Sequence, residues 1–262
     1  MLLRFQNGNY YFQFHEFIGV EGLRHGIFTR LGGSSRGAFQ GFNLARSVGD
    51  DTAAVTANRD ALARIFDPGA LFFAQQTHGT DVVFLDAHQS PLKAAAADAE
   101  APLQADAIIC DRPGTFAAIQ VADCQAVLLV DPRRRVVANI HSGWRGSCDN
   151  IIGRTISTLK ERCDSRPADL MAGIGPSLGP CCGEFRHYRE ELPRKVWQYG
   201  NQVDHFDFWA LSRDQMIAAG VLADRIVQSR ICTRCNTDLF FSDRASHDTG
   251  RFAAVSGFEA PE

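Results

Sequence analysis

Apolar residues along the chain fall mostly in short runs bounded by turn residues. Leu23–Arg30, Leu71–Gln76, Asp81–Asp86, Ala107–Cys110 and Thr115–Val121 read as extended segments. Ala126–Val130, Arg135–His141, Leu170–Ile174, Ile226–Ile231 and Arg251–Gly257 read the same way. Each is rich in Val, Ile or Phe or is a short apolar run between turn residues, which is the pattern of strands. Asp51–Phe66 differs: Val55, Leu62, Ile65 and Phe66 recur at helical spacing behind Asp51, a capping residue, and predict an amphipathic helix. Ser147–Cys163 repeats the pattern with Ile151, Ile152, Thr155, Ile156 and Leu159, and a third helix is expected to end before Gly220. Strands and helices are interspersed, and hairpin-like neighbours around Gly79 favour mixed over purely parallel sheets. The expected fold is α/β (α+β), a single domain spanning 1–262 in which mixed sheets form a sandwich-like core flanked by helices. Ser90–Gln104, Ala-rich with Pro91 and Pro102, reads as a loop or short helix inserted between strands, with a lid over a site as the sharper alternative.

Composition narrows the class. With 262 residues, 45% of them hydrophobic and 22% charged, the chain is globular and needs neither disulfide nor metal to hold its core. No apolar run approaches the ~20 residues of a membrane-spanning helix. The 27 basic against 30 acidic residues leave a net charge of −3, which argues against a general nucleic-acid binder. The opening Met-Leu-Leu-Arg-Phe-Gln-Asn-Gly lacks the apolar stretch of a secretory signal, so a cytoplasmic location with reduced cysteines is expected. A monomer with small-molecule partners, neither nucleic acid nor membrane, is the corresponding expectation.

Candidate chemistry concentrates at strand ends. His78 follows the segment Phe72–Thr77, His141 ends Val136–Ile140, and Cys124 stands at a polar break between two buried strands. Two imidazoles and a thiolate make a suitable Zn²⁺ set that leaves a fourth position open. Their separations match no short metal motif, but Gly79 and the Ser142-Gly143-Trp144-Arg145-Gly146 that follow the histidines permit tight turns and close approach of a ligand. A competing assignment makes Cys124 a nucleophile with a histidine base and Asp123 as its orienter. Cys232-Thr233-Arg234-Cys235 reads as structural or incidental thiols, since structural zinc requires a second pair and the adjacent Cys181–Cys182 lacks the usual spacing, with an auxiliary metal or a redox pair as the alternatives. For anions, Arg30 within Thr29–Ser35 and Arg145 ahead of the helix from Ser147 are candidates, with Ser242, Asp243, Arg244 and Arg251 further along.

Taken in order, these stretches resemble the YfiH-like family, variously called laccase-domain proteins, multicopper polyphenol oxidases or peptidoglycan editing factors. The resemblance runs through Phe28–Ser35, Asn43-Leu44, Val48–Asp51, Asn58-Arg59, Gln76–Gly79 and Ala122–Cys124. It continues through His141–Gly146, Gly173–Pro176, Gly179–Cys182, Cys232-Thr233, Phe241–Arg244 and Thr249–Arg251, covering about residues 23 to 255. It implies a metal site on His78, Cys124 and His141, with Zn²⁺ as cofactor and copper as the alternative. It implies phosphorolysis of adenosine, inosine, guanosine or methylthioadenosine, adenosine deamination, and a link to peptidoglycan precursor editing. For such a reaction Asp123, beside Cys124, is expected to carry protons or to support the metal ligands, Arg30 to take part in catalysis, and Arg30, Asn43, Arg145, Ser242 and Arg244 to bind nucleoside and phosphate. A polyphenol oxidase reading is disfavoured, because a laccase needs several copper centres and many histidines. Departures from the family pattern at Thr77, Gln125, Ser142, Gly183 and Ala45 spare the ligands but alter the surroundings.

Overall fold

The computed structural model describes residues 1–66, 70–85 and 103–260. In chain order its strands begin with β1 (Leu2–Gln6), β2 (Asn9–Gln13), β3 (Leu23–Phe28), β4 (Ala70–Phe73), β5 (Val82–Leu85) and β6 (Ala107–Cys110). They continue with β7 (Thr115–Val121), β8 (Gln125–Asp131), β9 (Val136–Ser142), β10 (Met171–Ile174), β11 (Ile226–Gln228) and β12 (Phe252–Phe258). The helices are α1 (Thr52–Ile65), α2 (Trp144–Cys148), α3 (Ile151–Cys163), α4 (Tyr188–Glu191) and α5 (Phe208–Ala218).

The strands form two six-stranded sheets, ordered β1-β2-β3-β12-β7-β4 and β11-β10-β8-β9-β6-β5. Both are mixed: β4 pairs parallel with β7, β5 with β6 and β10 with β11, and the other neighbours are antiparallel. Between the sheets, Ile27, Phe72, Ile119 and Phe252 of the first pack against Ile108, Leu128, Val130 and Val137 of the second. The outer face of the second sheet carries Ile109, Val127, Leu129 and Ile140 against Ile152, Ile156 and Leu159 of α3 and Met216 of α5. The outer face of the first carries Phe28, Phe116 and Val255 against Leu62 and Ile65 of α1. Because β8 and β9 are covered on both faces, every one of their residues is buried, and this is why Ala126–Val130 reads as an unbroken apolar run while β9 is broken only by Asn139 before His141 and Ser142. The mixed α/β fold is as expected.

Three local differences have physical causes. β1 and β2 form a hairpin that the hydrophobic pattern passes over; its turn is Asn7-Gly8, with φ of 52° and 80°, the left-handed pair that a tight two-residue turn demands. The helix expected over Ser147–Cys163 is two helices, because Asn150 adopts φ 59° and caps α3 through Gly153 N–H. The expected end at Gly220 holds: its φ is 97°, and its N–H donates to Ile217 O. Most of the expected insert at Ser90–Gln104 lies outside the described residues.

Candidate metal centre and cavity

The chain passes from the first sheet to the second twice near one rim of the sandwich, between β4 and β5 and between β7 and β8. His78 lies on the first passage and Cys124 on the second. Strand β9 supplies the third group: its side chains alternate, so Val137 and Asn139 face the first sheet and His141 reaches the same face at the rim. The ligand atoms of His78, Cys124 and His141 all lie within 4.8 Å of one another. The two imidazoles meet edge to face, with ring centroids 4.8 Å apart. The backbone is bent to achieve this: His78 and Asp123 hold φ of 62° and 83°, left-handed values that are uncommon for such residues. Gly143 completes the enclosure, since a Cβ there would stand 3.0 Å from His78 and 3.1 Å from the Cys124 sulfur.

One buried carboxylate organises the group. Asp106, fully buried just ahead of β6, accepts the Nδ1–H of His141 at 2.8 Å. It also accepts the backbone N–H groups of His78 at 2.9 Å and Gly79 at 2.7 Å and the Thr77 hydroxyl at 2.8 Å. One side chain therefore fixes the tautomer of His141 and the loop that carries His78. Burial alone would raise the Asp106 pKa, but these donors outweigh it and hold the carboxyl well below the usual carboxylate range. Burial likewise pushes the Cys124 thiol up, and the neighbouring imidazoles of His141 and His78 overcome it, bringing the thiol down to about 6. His141 moves in the complementary direction, up to about 9, where Cys124 and Asp106 override the effect of burial. These two shifts describe one proton passed from sulfur to imidazole, and the direction that matters is the thiolate character of Cys124.

The donor set fits a borderline-soft cation. A thiolate and two neutral imidazole nitrogens, one of them fixed by a carboxylate, make the three-ligand pattern of an open zinc site. Cys124 and both histidines line a cavity of about 680 Å³. Its walls include Trp144, Phe185 and Phe208 as aromatic surfaces and Arg145, Arg244 and Arg251 as cations.

The structure distributes the other expected site residues unevenly. Asp123 lines the cavity, but its carboxylate accepts from Thr233 Oγ1 and from Arg244 N–H, both at 2.6 Å, so it ties loops together beside Cys124. Arg145 lines the cavity and stacks on Trp144 at 4.2 Å. Arg244 lines it too, with Nη1 donating to the Glu184 carbonyl at 2.9 Å. Arg30 does not line it: its guanidinium donates to Thr237 O and Gln40 O, lies over Phe241 and borders a separate hollow of about 330 Å³. Asn43 is fully buried and braces Ala45, Asp50 and Arg251, while the Ser242 hydroxyl accepts from Ala245 N–H within its own turn. In the sequence Asp106 has one signal only, a carboxylate set directly against the apolar run Ala107–Cys110. Gln125, one of the departures, is 3% exposed and lines the cavity; its amide nitrogen donates to Phe208 O, and its buried Oε1 has no partner among the described residues. The cysteine expectation needs correcting: Cys181 and Cys182 do supply a second pair, because the fold brings their sulfurs beside those of Cys232 and Cys235.

Residues 24–259 match the family described as multi-copper polyphenol oxidoreductase laccase. The chain belongs to this family. Among its relatives, purine nucleoside phosphorylase YlmD of Geobacillus stearothermophilus is 33% identical over 245 residues, covering 88% of this chain and 89% of that protein. Adenosine deaminase RL5, from an unknown prokaryotic organism, is 32% identical over 240 residues, covering 86% and 89%. The crystal structure of Bacillus licheniformis hypothetical protein YfiH superposes with a TM-score of 0.87 at 27% identity, covering 98% of this chain and 99% of that one. Among the described residues, no helix is long and apolar enough to cross a membrane.

Proposed function

We propose that the protein is a zinc-dependent purine nucleoside enzyme that cleaves the glycosidic bond with phosphate and deaminates adenosine. The observation that carries this is the convergence of His78, Cys124 and His141 at a cavity sized for a nucleoside and walled by aromatic and cationic side chains. The names of two relatives, a purine nucleoside phosphorylase and an adenosine deaminase, support the choice of substrate. When bound, Zn²⁺ supplies an electrophilic centre with a coordination position open to substrate or water. Asp106 keeps the proton of His141 on Nδ1, leaving Nε2 as the ligand atom. Arg145 and Arg244, which line the cavity, would hold phosphate, whose negative charge offsets the positive charge that develops on the ribosyl carbon as the purine leaves. Trp144, Phe185 and Phe208 offer faces for a purine ring.

A multicopper oxidase needs several metal centres rich in histidine. Among the described residues only two groups of potential ligands converge, and only one of them contains histidine. A specific observation does favour a second reading: Cys124, His141 and Asp106 are connected in the order of a thiol nucleophile, its base and the orienter of that base. The test is to incubate purified protein with adenosine, inosine and guanosine, with and without phosphate, and resolve free base and ribose 1-phosphate by chromatography. Phosphate-dependent base release that a chelator abolishes and Zn²⁺ restores is the expected result. Absence of base release from every nucleoside would overturn the proposal. Turnover that survives the chelator but is destroyed by a thiol alkylator would favour the nucleophile reading.

A further inference from the structure

The second convergence involves sulfur alone. Strands β10 and β11 are parallel neighbours in register, with Ala172 opposite Ile226 and Ile174 opposite Gln228, so their C-terminal ends emerge side by side. An isolated parallel bridge between Ser177 and Cys232 carries the pairing beyond the strands. The loop after β10 then delivers Cys181 and Cys182, and the turn after β11 delivers Cys232 and Cys235. All four sulfurs lie within 4.8 Å of one another. The Cys235 sulfur stands 3.6 Å from that of Cys181 and 3.5 Å from that of Cys182.

These spacings discriminate between the two uses of clustered cysteines. A disulfide requires about 2.05 Å between sulfurs. A tetrahedral centre with metal–sulfur bonds of about 2.3 Å has sulfur–sulfur edges of roughly 3.8 Å. The surroundings agree with the second. Gly179 N–H donates to the Cys232 sulfur at 3.3 Å, the kind of backbone bond that stabilises a ligating thiolate. A Cβ at Gly179 would stand 3.1 Å from Cys232 Cβ and 2.8 Å from Trp209, so only glycine allows the loop this close. Asn236 Nδ2 donates to Cys232 O and Asn236 N–H to Thr233 O, closing the Cys-Thr-Arg-Cys turn that points both sulfurs one way.

We infer that Cys181, Cys182, Cys232 and Cys235 form a second metal site, a tetrathiolate centre for Zn²⁺ distinct from the His78, Cys124 and His141 group. Four protein ligands complete the tetrahedron, which makes the centre structural. Its place in the fold says what it holds. Leu178 and Gly183 flank one cysteine pair and line the cavity. Thr233, inside the other pair, donates to Asp123, the neighbour of Cys124. The ion would therefore staple together two loops that shape the wall of the cavity without entering it.

The test is elemental analysis of untagged protein purified from cells grown with zinc. Wild type is expected to hold about two zinc ions per chain, His141→Ala about one, and Cys181→Ser about one, while His141→Ala with Cys181→Ser holds none. If Cys181→Ser does not fold, cobalt loading of the His141→Ala protein decides: an intense sulfur-to-cobalt charge-transfer band with tetrahedral ligand-field bands is expected. One ion in wild type and none in His141→Ala would overturn the inference. So would iron in place of zinc, or four freely titrating thiols or a disulfide in native His141→Ala.

Discussion

Two histidines of this sandwich are almost equally buried and behave in opposite ways. His25, on β3, is 2% exposed; His141, on β9, is 3% exposed. The His25 ring packs beside Phe14 and Phe17, its Nε2 accepts from Phe14 N–H at 2.9 Å, and its Nδ1 has no partner among the described residues. Burial there disfavours the charged ring and lowers its pKa to about 4. His141 suffers the same desolvation, but Asp106 at Nδ1 and Cys124 nearby reverse its direction. Burial alone makes a histidine inert filling. A carboxylate behind it and a thiolate in front suit it to hold a metal ion.

The strongest way to test that contrast is His141→Ala. The Asp106 carboxylate keeps its backbone donors from residues 77 to 79, so the chain should remain folded by circular dichroism. Ion retention at this site should be lost, and nucleoside turnover should fall by on the order of a thousandfold, as when a central electrostatic element is removed. Next in size is the acid response of His25. Its folded pKa of about 4 lies below the ordinary 6.5, so the unfolded chain binds more protons between those values. Stability is therefore full above pH 6.5 and declines as pH falls towards 4, by about 3 kcal/mol at the foot of the window. Urea denaturation of His25→Gln, whose amide oxygen can still accept from Phe14, should show a flatter profile over that range. An unchanged slope would mean that His25 is not the titrating group.

Asp106→Asn should follow, weakening zinc affinity at this site tenfold to about a hundredfold, as loss of an orienting partner does, with competition against a chromophoric chelator as the readout. An affinity equal to wild type would remove Asp106 from the contrast. The smallest effect is expected from Arg145→Ala, which should raise the KM for phosphate about tenfold with little change in kcat, one charge-assisted hydrogen bond being lost. Arg30→Ala serves as its counterpart. It should leave phosphate saturation unchanged and lower the thermal midpoint, because Arg30 clamps the backbone at Gln40 and Thr237.

What could be read in advance follows the same physical line. Strands β6 and β7 stand at the residues expected because their apolar runs end abruptly at turns. The candidate ligands are legible because each interrupts or ends such a run. Nothing in the residues around His25 marked it as inert, since Leu-Arg-His-Gly-Ile-Phe is as strand-like as the run before His141. Only the Ser-Gly-Trp-Arg-Gly that follows His141 separated the two. Asp106 was hidden because its partners come from a different loop and a neighbouring strand. The cysteine pairs were hidden because they meet through the parallel pairing of β10 with β11, which no local spacing encodes. Arg30 misled for the converse reason: a guanidinium beside glycines suggests an anion, and here it serves two backbone carbonyls.

The moorings of His78 and Cys124 have a mechanical consequence. Both sit where the polypeptide steps across the open end of the sandwich, while His141 is anchored on the second layer alone. A cation gripped by all three is a clasp between the layers, and they cannot part without surrendering it. Unfolding then entails release of the ion, although release need not unfold the chain, and free zinc at a hundredfold excess over its Kd should lend the fold about 2.7 kcal/mol. A melting curve would in that case measure occupancy as faithfully as it measures the protein.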